Sequence, residues 1–90
     1  MRKCVITVLG KDTVGIIAKV CSYLAENNIN ILEISQTIVA EYFNMVMIVD
    51  VTNSTKELKY VTVDLAEIGD DLGVAIHCQR EEIFEMMHRL

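Results

Sequence analysis

The chain has 90 residues, of which 52% are hydrophobic, and it carries a formal net charge of −5. A chain of this length builds one compact core, so we predict a single domain over residues 1–90. An acidic chain lacks the basic face that phosphate backbones and anionic lipids require, which disfavours nucleic acids and membranes as direct partners. No apolar run approaches the roughly 20 residues that span a bilayer, and the first residues do not resemble a signal peptide, so we expect a cytoplasmic protein.

The three cysteines are Cys4, Cys21 and Cys78, and their spacing is wide and unequal. They form neither a CxxC motif nor a Cys/His ligand pattern. Each lies in a segment of periodic apolar residues, which is typical of buried reduced thiols. We therefore expect no metal site and no cofactor.

The first third of the chain predicts a strand followed by a helix. The β-branched run over residues 5–9 is typical of a central strand. Asp12 or Thr13 is placed to cap the helix that follows, and Asn27 with Asn28 tolerates the left-handed backbone that ends one. The predicted buried stripe of this helix repeats at helical spacing: Ile17, Val20, Cys21 and Leu24.

From Asn30 the apolar period changes to two, which predicts a second strand. Leu32 and the even positions through 38 share one face, and Ile31 shares the other face with Glu33 and the odd positions that follow. We place the chain reversal within residues 40–42. The next strand, over residues 43–51, is apolar on both faces, so we expect both of its faces to be covered.

The last third predicts a helix, a strand and a short terminal helix. Residues 54–57 match a capping box for the second helix, and Gly73 is placed to end it. The predicted apolar stripe of this helix is Leu58, Val61, Leu65, Ile68 and Leu72. The fourth strand alternates through Val74, Ile76 and Cys78, and the terminal helix repeats through Ile83, Met86, Met87 and Leu90.

This order of elements predicts an α+β fold, the ferredoxin-like βαββαβ sandwich with a short C-terminal helix. In that arrangement two helices cover one face of a four-stranded antiparallel sheet, and the other face stays bare. The bare face would contain apolar strand positions, and contiguous apolar surface usually marks a partner site. A homodimer is the simplest solution because a two-fold axis lets one patch cover itself.

The sequence contains no recognisable catalytic set. A hydrolase or transferase needs a nucleophile with a base, paired acids or a metal. The candidate bases are His77 and His88, and we interpret both as solvated surface histidines. We therefore expect the protein not to be an enzyme.

The turn over residues 10–16 is the most informative segment, because it joins the first strand to the first helix. The first N–H groups of a helix are unpaired and receive carboxylates, and Gly15 leaves those amides accessible. Asp12 adds a fixed anion that suits an ammonium group. Together they would hold a zwitterionic amino acid, although Asp12 could equally be only the helix cap and Gly15 only a packing residue.

Asn30 is the second candidate for ligand contact. Its side-chain amide both donates and accepts hydrogen bonds, which suits a ligand that carries a carboxylate and an ammonium group. The alternative is that Asn27, Asn28 and Asn30 together only build the turn before the strand.

The ordered combination of these residues resembles an ACT domain. The resemblance rests on the strand over residues 5–9, the turn over residues 11–16, Asn30-Ile31 at the start of the second strand, and Val49-Asp50 in the third. Residues 30–36 further resemble the stand-alone ACT proteins that are related to the glycine-cleavage transcriptional repressor.

The resemblance implies subunits that pair side by side or face to face and bind amino-acid effectors at their interface. It places the turn of one subunit against the second strand of its partner. The implied ligand-binding residues are Asp12, Thr13, Val14, Gly15 and Ile16 on the turn side, with Asn30 and Ile31 on the strand side.

Two functions follow from the sequence as expectations. The first is a regulatory module that binds an amino acid or similar small polar metabolite, forms a homodimer or higher homo-oligomer, and exerts allosteric control on a metabolic or transcriptional partner protein. The alternative is a dimeric protein–protein interaction module with no small ligand, in which methionines such as Met45 and Met86 provide an adaptable surface.

Overall fold

The computed structural model describes residues 1–11 and 15–87 of the chain. Its elements in chain order are β1 (Lys3–Lys11), α1 (Ile16–Glu26), β2 (Asn30–Val39), β3 (Tyr42–Asp50), α2 (Leu58–Leu72), β4 (Ala75–Arg80) and α3 (Glu81–Met87). Among these described residues, no helix has the length and apolar character needed to cross a bilayer.

The predicted ferredoxin-like fold is confirmed. The four strands form one antiparallel sheet in the order β2-β3-β1-β4, so β1 and β3 are central while β2 and β4 form the edges. One apolar cluster joins the two main helices to a single face of the sheet, which we call the helix-side face. Its fully buried members include Ile6 and Val8 of β1, Met45 and Met47 of β3, and Leu24 of α1.

The buried stripe of the first helix begins at Ile16, one residue before the predicted Ile17. Gly15 is the N-cap with a left-handed backbone at φ +92°, so the helix starts at Ile16. Ile16, Val20 and Leu24 are buried, whereas Ile17 is exposed. The prediction of Ile17 in the buried stripe was therefore wrong, because Ile16, four residues before Val20, occupies that place in the stripe, whereas Val20 and Leu24 are buried as predicted.

A β-bulge in β2 corrects the predicted faces of that strand. Ile31 pairs with Val49 and Glu33 pairs with Ile48, so Leu32 is an extra residue between them. Because an extra residue shifts the alternation of side chains, Ile31 lies on the helix-side face and packs against the core. The prediction that Ile31 shares a face with Glu33 was wrong for this reason.

The second helix lacks the predicted capping box. Its N-cap is Glu57, which makes no side-chain cap hydrogen bond. The Ser54 hydroxyl instead donates to the Lys56 carbonyl oxygen at 2.7 Å and accepts from the Lys56 N–H at 3.2 Å. Ser54 therefore closes a local turn ahead of the helix, and the first N–H groups of α2 are left without a side-chain partner.

The predicted end of the second helix is confirmed. Gly73 follows Leu72 with a left-handed backbone at φ +75°. The N–H of Val74 donates to the carbonyl oxygen of Gly69 at 2.9 Å, which satisfies one of the last carbonyls of the helix. The chain therefore turns directly from α2 into β4, and Gly69 lies against the start of that strand.

The C-terminal helix covers part of the opposite, open face of the sheet. Val5 points to that face, since it pairs with Ile48 and Gln79 while Cys4 and Ile6 belong to the core. It is nevertheless only 3% exposed. The helix α3 follows β4 without a loop and contacts both β1 and β4, so we infer that α3 shields Val5.

Asn27 joins the end of α1 to the loop that precedes α2. It is buried, its side-chain amide donates to the Tyr23 carbonyl oxygen at 2.9 Å, and its Oδ1 accepts from the Thr55 hydroxyl at 3.2 Å. Its own carbonyl oxygen accepts from the Thr55 N–H at 3.0 Å. Asn27 therefore bonds the last turn of α1 through its amide nitrogen and the loop before α2 through its amide oxygen.

We expect Asn27→Ala to lower the free energy of unfolding by about 2 kcal/mol, because the two hydrogen bonds of a buried side chain are lost. The matched control is Asn28→Gly. Asn28 has φ +58° and its side chain makes one exposed hydrogen bond, so glycine keeps the turn and the change stays within about 0.5 kcal/mol. Urea unfolding of both variants tests this prediction. An equal loss of unfolding free energy in the two variants would contradict it.

Candidate functional site

The turn side of the predicted site is described at Gly15 and Ile16, whereas Asp12, Thr13 and Val14 lie outside the described residues. The N–H of Lys19 is the first to donate within α1, to the Gly15 carbonyl oxygen at 2.9 Å. The amides that precede it in the first turn of α1 therefore have no acceptor inside the helix. This end of the helix is able to receive a carboxylate group.

Gly15 is required here for its backbone conformation more than for space. A Cβ built on Gly15 would meet no atom within 4 Å, but φ +92° is a conformation that other residues rarely adopt. Ile16 is buried in the core, so only its backbone amide is available to a ligand. The turn side would thus contact a ligand through backbone groups.

The strand side of the site is built around Asn30. This residue opens β2 directly opposite Asp50 at the end of β3. A cavity of about 210 Å³ lies beside them, and its walls are Ala25, Asn28, Ile29, Asn30, Asp50 and Asn53. Ile31, the other predicted strand-side residue, packs against the core and contributes no wall to this cavity.

Asp50 gives the strand side a permanent negative charge. The Thr52 hydroxyl donates to its Oδ1 at 2.5 Å, and the Thr52 N–H donates to the same atom at 2.9 Å. These hydrogen bonds favour the ionised form and hold the pKa of Asp50 below its usual range. An ionised carboxylate beside the Asn30 amide suits the ammonium group of a ligand.

Within one chain the two sides do not meet. Gly15 caps the start of α1, and Asn30 follows the turn at its other end. The helix has 11 residues, which corresponds to about 16 Å at 1.5 Å per residue. One chain therefore holds two half-sites at opposite ends of the same helix.

The strand β2 is a free sheet edge with exposed apolar side chains. Ile34 and Ile38 are 46% and 59% exposed, although they pair with the buried residues Met47 and Phe43. The helices therefore do not reach across to this edge. We call this surface the β2 edge, and an exposed apolar edge strand readily pairs with another chain.

The open face of the sheet carries a second apolar surface. Leu9, Val39 and Tyr42 are exposed there, whereas Val46 and Ile48 are half-buried. His77 pairs with Thr7 on the same face and is exposed, as predicted. His88 lies outside the described residues.

Sequence reasoning did not assign a role to Asp50 or Asn53. Asp50 ends the apolar strand β3 and Asn53 follows it, and such polar residues at a strand end are ordinary turn residues. Only the register of β2 against β3 brings Asp50 opposite Asn30. Among residues 1–11 and 15–87, no three His, Cys, Asp or Glu side chains converge as a metal site would require.

Comparison with known proteins identifies the family. Residues 2–79 match the model of the ACT domain. The chain is 58% identical over 90 residues to a UPF0237 protein of Bifidobacterium longum, and the match spans all of both chains.

Solved structures show the same fold. The ACT domain protein from Streptococcus pneumoniae superposes with a TM-score of 0.80 at 39% identity, covering 93% of this chain and 94% of that chain. A putative glycine cleavage system transcriptional repressor superposes with a TM-score of 0.74 at 21% identity, covering 88% of this chain but 45% of that longer chain, which shows likeness of fold alone. The chain therefore belongs to the ACT domain family, a class of small-ligand regulatory modules, and within it to the UPF0237 proteins.

Proposed function

We propose that this protein is a cytoplasmic regulatory module, not an enzyme, that forms a homodimer and binds an amino acid at sites shared between the two subunits. The observation that carries the proposal is the position of the two half-sites relative to the β2 edge. Each half-site is incomplete alone, and the β2 edge is apolar and pairs on its outer side with no other strand among the described residues.

A two-fold axis through the β2 edge would complete both sites. Edge strands that are related by such an axis run antiparallel, so Asn30 of one subunit lies near the Val39 end of its partner's β2. The partner's β1 ends on the same side, because Lys11 pairs with Tyr42 and Tyr42 pairs with Val39. The first turn of the partner's α1 follows β1 there. Two equivalent sites form, each with Gly15 from one subunit and Asn30 from the other.

The chemistry of such a site fits a zwitterion. The amides at the start of α1 would receive the ligand carboxylate, supported by the positive end of the helix dipole. Asp12 of the same turn, together with Asp50 and Asn30 of the facing subunit, would accept hydrogen bonds from the ligand ammonium group. Thr13 and Val14 complete the turn as further ligand contacts, and Ile31 supports Asn30 from the core.

A thermal-shift screen of the purified protein against the common amino acids tests the proposal. A ligand at about 100 times its dissociation constant adds about 2.7 kcal/mol of stability, which raises the Tm of a domain this small by about 10 °C or more. We expect one or two amino acids to give this shift, and Asp12→Ala or Asn30→Ala to abolish it. Asp71→Ala, an exposed acid on α2, is the matched control and keeps the shift. No shift across the whole panel would overturn the proposal.

The open face of the sheet offers a surface for binding another protein. The exposed side chains of Leu9, Val39 and Tyr42 stay uncovered when two chains pair through the β2 edge. We infer that this face receives the regulated partner protein or a second dimer. A pure interaction module would use the same face but would show no amino-acid response in the screen.

A further inference from the structure

A second cleft lies at the end of the sheet where β1 starts and β4 ends, against the start of α2. We call it the α2 cleft. Its volume is about 650 Å³, within the range of small-molecule sites. Val51, Leu58 and Val61 give it apolar walls. None of the predicted amino-acid contacts lines this cleft.

The α2 cleft concentrates positive charge in an acidic protein. The chain has eight lysines and arginines against 13 acids. Four of the eight line this one cleft, namely Arg2, Lys56, Lys59 and Arg80, and Glu57 is the one acid among the residues that line it. A cleft whose walls carry one sign of charge focuses the field and raises the local concentration of counter-ions.

Existing ion pairs leave most of this charge available. Lys56 is held by Asp64 at 2.8 Å, but the pairs Lys59–Glu57 and Arg80–Glu82 are long, at 3.7 Å each. Long exposed pairs of this kind contribute little and exchange readily. Within the described parts of the chain, no carboxylate is paired with the Arg2 guanidinium.

Backbone donors lie in the same wall. The N–H groups of Tyr60 and Val61 donate to the Glu57 carbonyl oxygen, so Leu58 and Lys59 precede the first bonded amide of α2. Glu57 makes no side-chain cap bond to them. Two arginines, a lysine and two free amides around one cleft match the oxygens of a phosphate group, which arginine binds in a bidentate manner.

We propose that the α2 cleft binds a small phosphate-bearing metabolite, with its oxyanion held by Arg2, Arg80 and Lys59. This site is a second one beside the strand-side half-site, because Thr52 lines the cleft and donates hydrogen bonds to Asp50, and it gives the module a second input. The positive wall selects a multiply charged oxyanion over a carboxylate, because a doubly charged phosphate interacts with all three cations.

Inorganic pyrophosphate is the probe, titrated into ¹⁵N-labelled full-length protein at constant ionic strength balanced with sodium chloride. We expect saturable chemical-shift changes at the amides of Leu58 and Lys59. The double variant Arg2→Gln/Arg80→Gln is expected to weaken binding by about 10-fold or more, because two charge-assisted contacts are lost. Lys19→Gln on α1 is the matched control, and it leaves the binding constant unchanged.

Shifts that fail to saturate, or an equal loss of binding in Lys19→Gln, would overturn the proposal, since either shows only general attraction to positive charge. Thermal unfolding of each variant shows that it is folded before titration. Asp12→Ala is expected to bind pyrophosphate normally, so failure of this site and failure of the amino-acid site are read independently.

Discussion

The Gly69→Ala variant is expected to lose about 3 kcal/mol of unfolding free energy, although the same change at an exposed helix position gains up to about 1 kcal/mol. Gly69 is buried in α2, and a Cβ there would lie 2.6 Å from the Val74 carbonyl oxygen and 3.1 Å from Ile76 Cγ1. Because the closest atom is a backbone atom of Val74, the residue that leads into β4, the start of the strand has to move away from the helix. The close approach of helix and strand therefore depends on this glycine.

Gly10 provides the matched comparison. A Cβ on Gly10 would lie 2.5 Å from Val74 Cγ1, which is a side-chain atom. We expect Val74→Ala to reduce the cost of Gly10→Ala, but to leave the cost of Gly69→Ala nearly unchanged. Urea unfolding of the two double-mutant cycles measures this difference. A Gly69→Ala variant as stable as the wild type would show that β4 does not pack as closely as described.

The second large effect is expected at the β2 edge, where Ile34→Lys/Ile38→Lys should convert the dimer to a monomer. Burial of each isoleucine contributes about 1.5–3 kcal/mol, and the two-fold axis uses each residue twice. Two lysines instead place four charges along the shared edge. We expect the dissociation constant of the dimer, measured by analytical ultracentrifugation, to rise at least about 100-fold.

Two controls separate this edge from the other apolar surfaces. Val63→Lys changes a residue of α2 that is 54% exposed, comparable with the two isoleucines, and should leave the dimer intact. Leu9→Lys changes the open face and tests face-to-face pairing. If Leu9→Lys dissociates the dimer and the β2-edge variant does not, the subunits pair through their open faces and the composite site is wrong.

Most of the fold could be predicted because each element carried its own period. The strand over residues 43–51 was predicted from a run that is apolar on both faces, and Met45, Met47 and Val49 are fully buried while Val46 and Ile48 are half-buried. The errors concern which side chains face the core, and each arose at a single residue. At the start of α1 the core takes Ile16 and not its neighbour Ile17, and the bulge after Ile31 exchanges the faces of β2. A pattern of spacings does not report such single-residue shifts.

The candidate site was predicted less completely, because its parts are adjacent only through strand register and a second subunit. Asn30 stood out in the sequence as a polar residue that opens a strand. Asp50 became a candidate only when β3 was seen to end opposite it. Ser54 illustrates the reverse error, since its spacing to Glu57 matched a capping box but its hydroxyl bonds Lys56 instead. A short sequence motif predicts contacts between residues that are close in sequence. It does not predict a site whose residues come from distant strands and from a second subunit.

Mixing two inactive variants tests the central claim most directly. Asp12→Ala and Asn30→Ala each remove one half of every site, so we expect neither homodimer to bind the amino acid found in the screen. Mixed dimers carry one intact site, so a re-equilibrated equal mixture should recover about a quarter of the wild-type sites by isothermal titration calorimetry. If both variants are folded and dimeric but their mixture recovers no binding, the site is not shared between subunits.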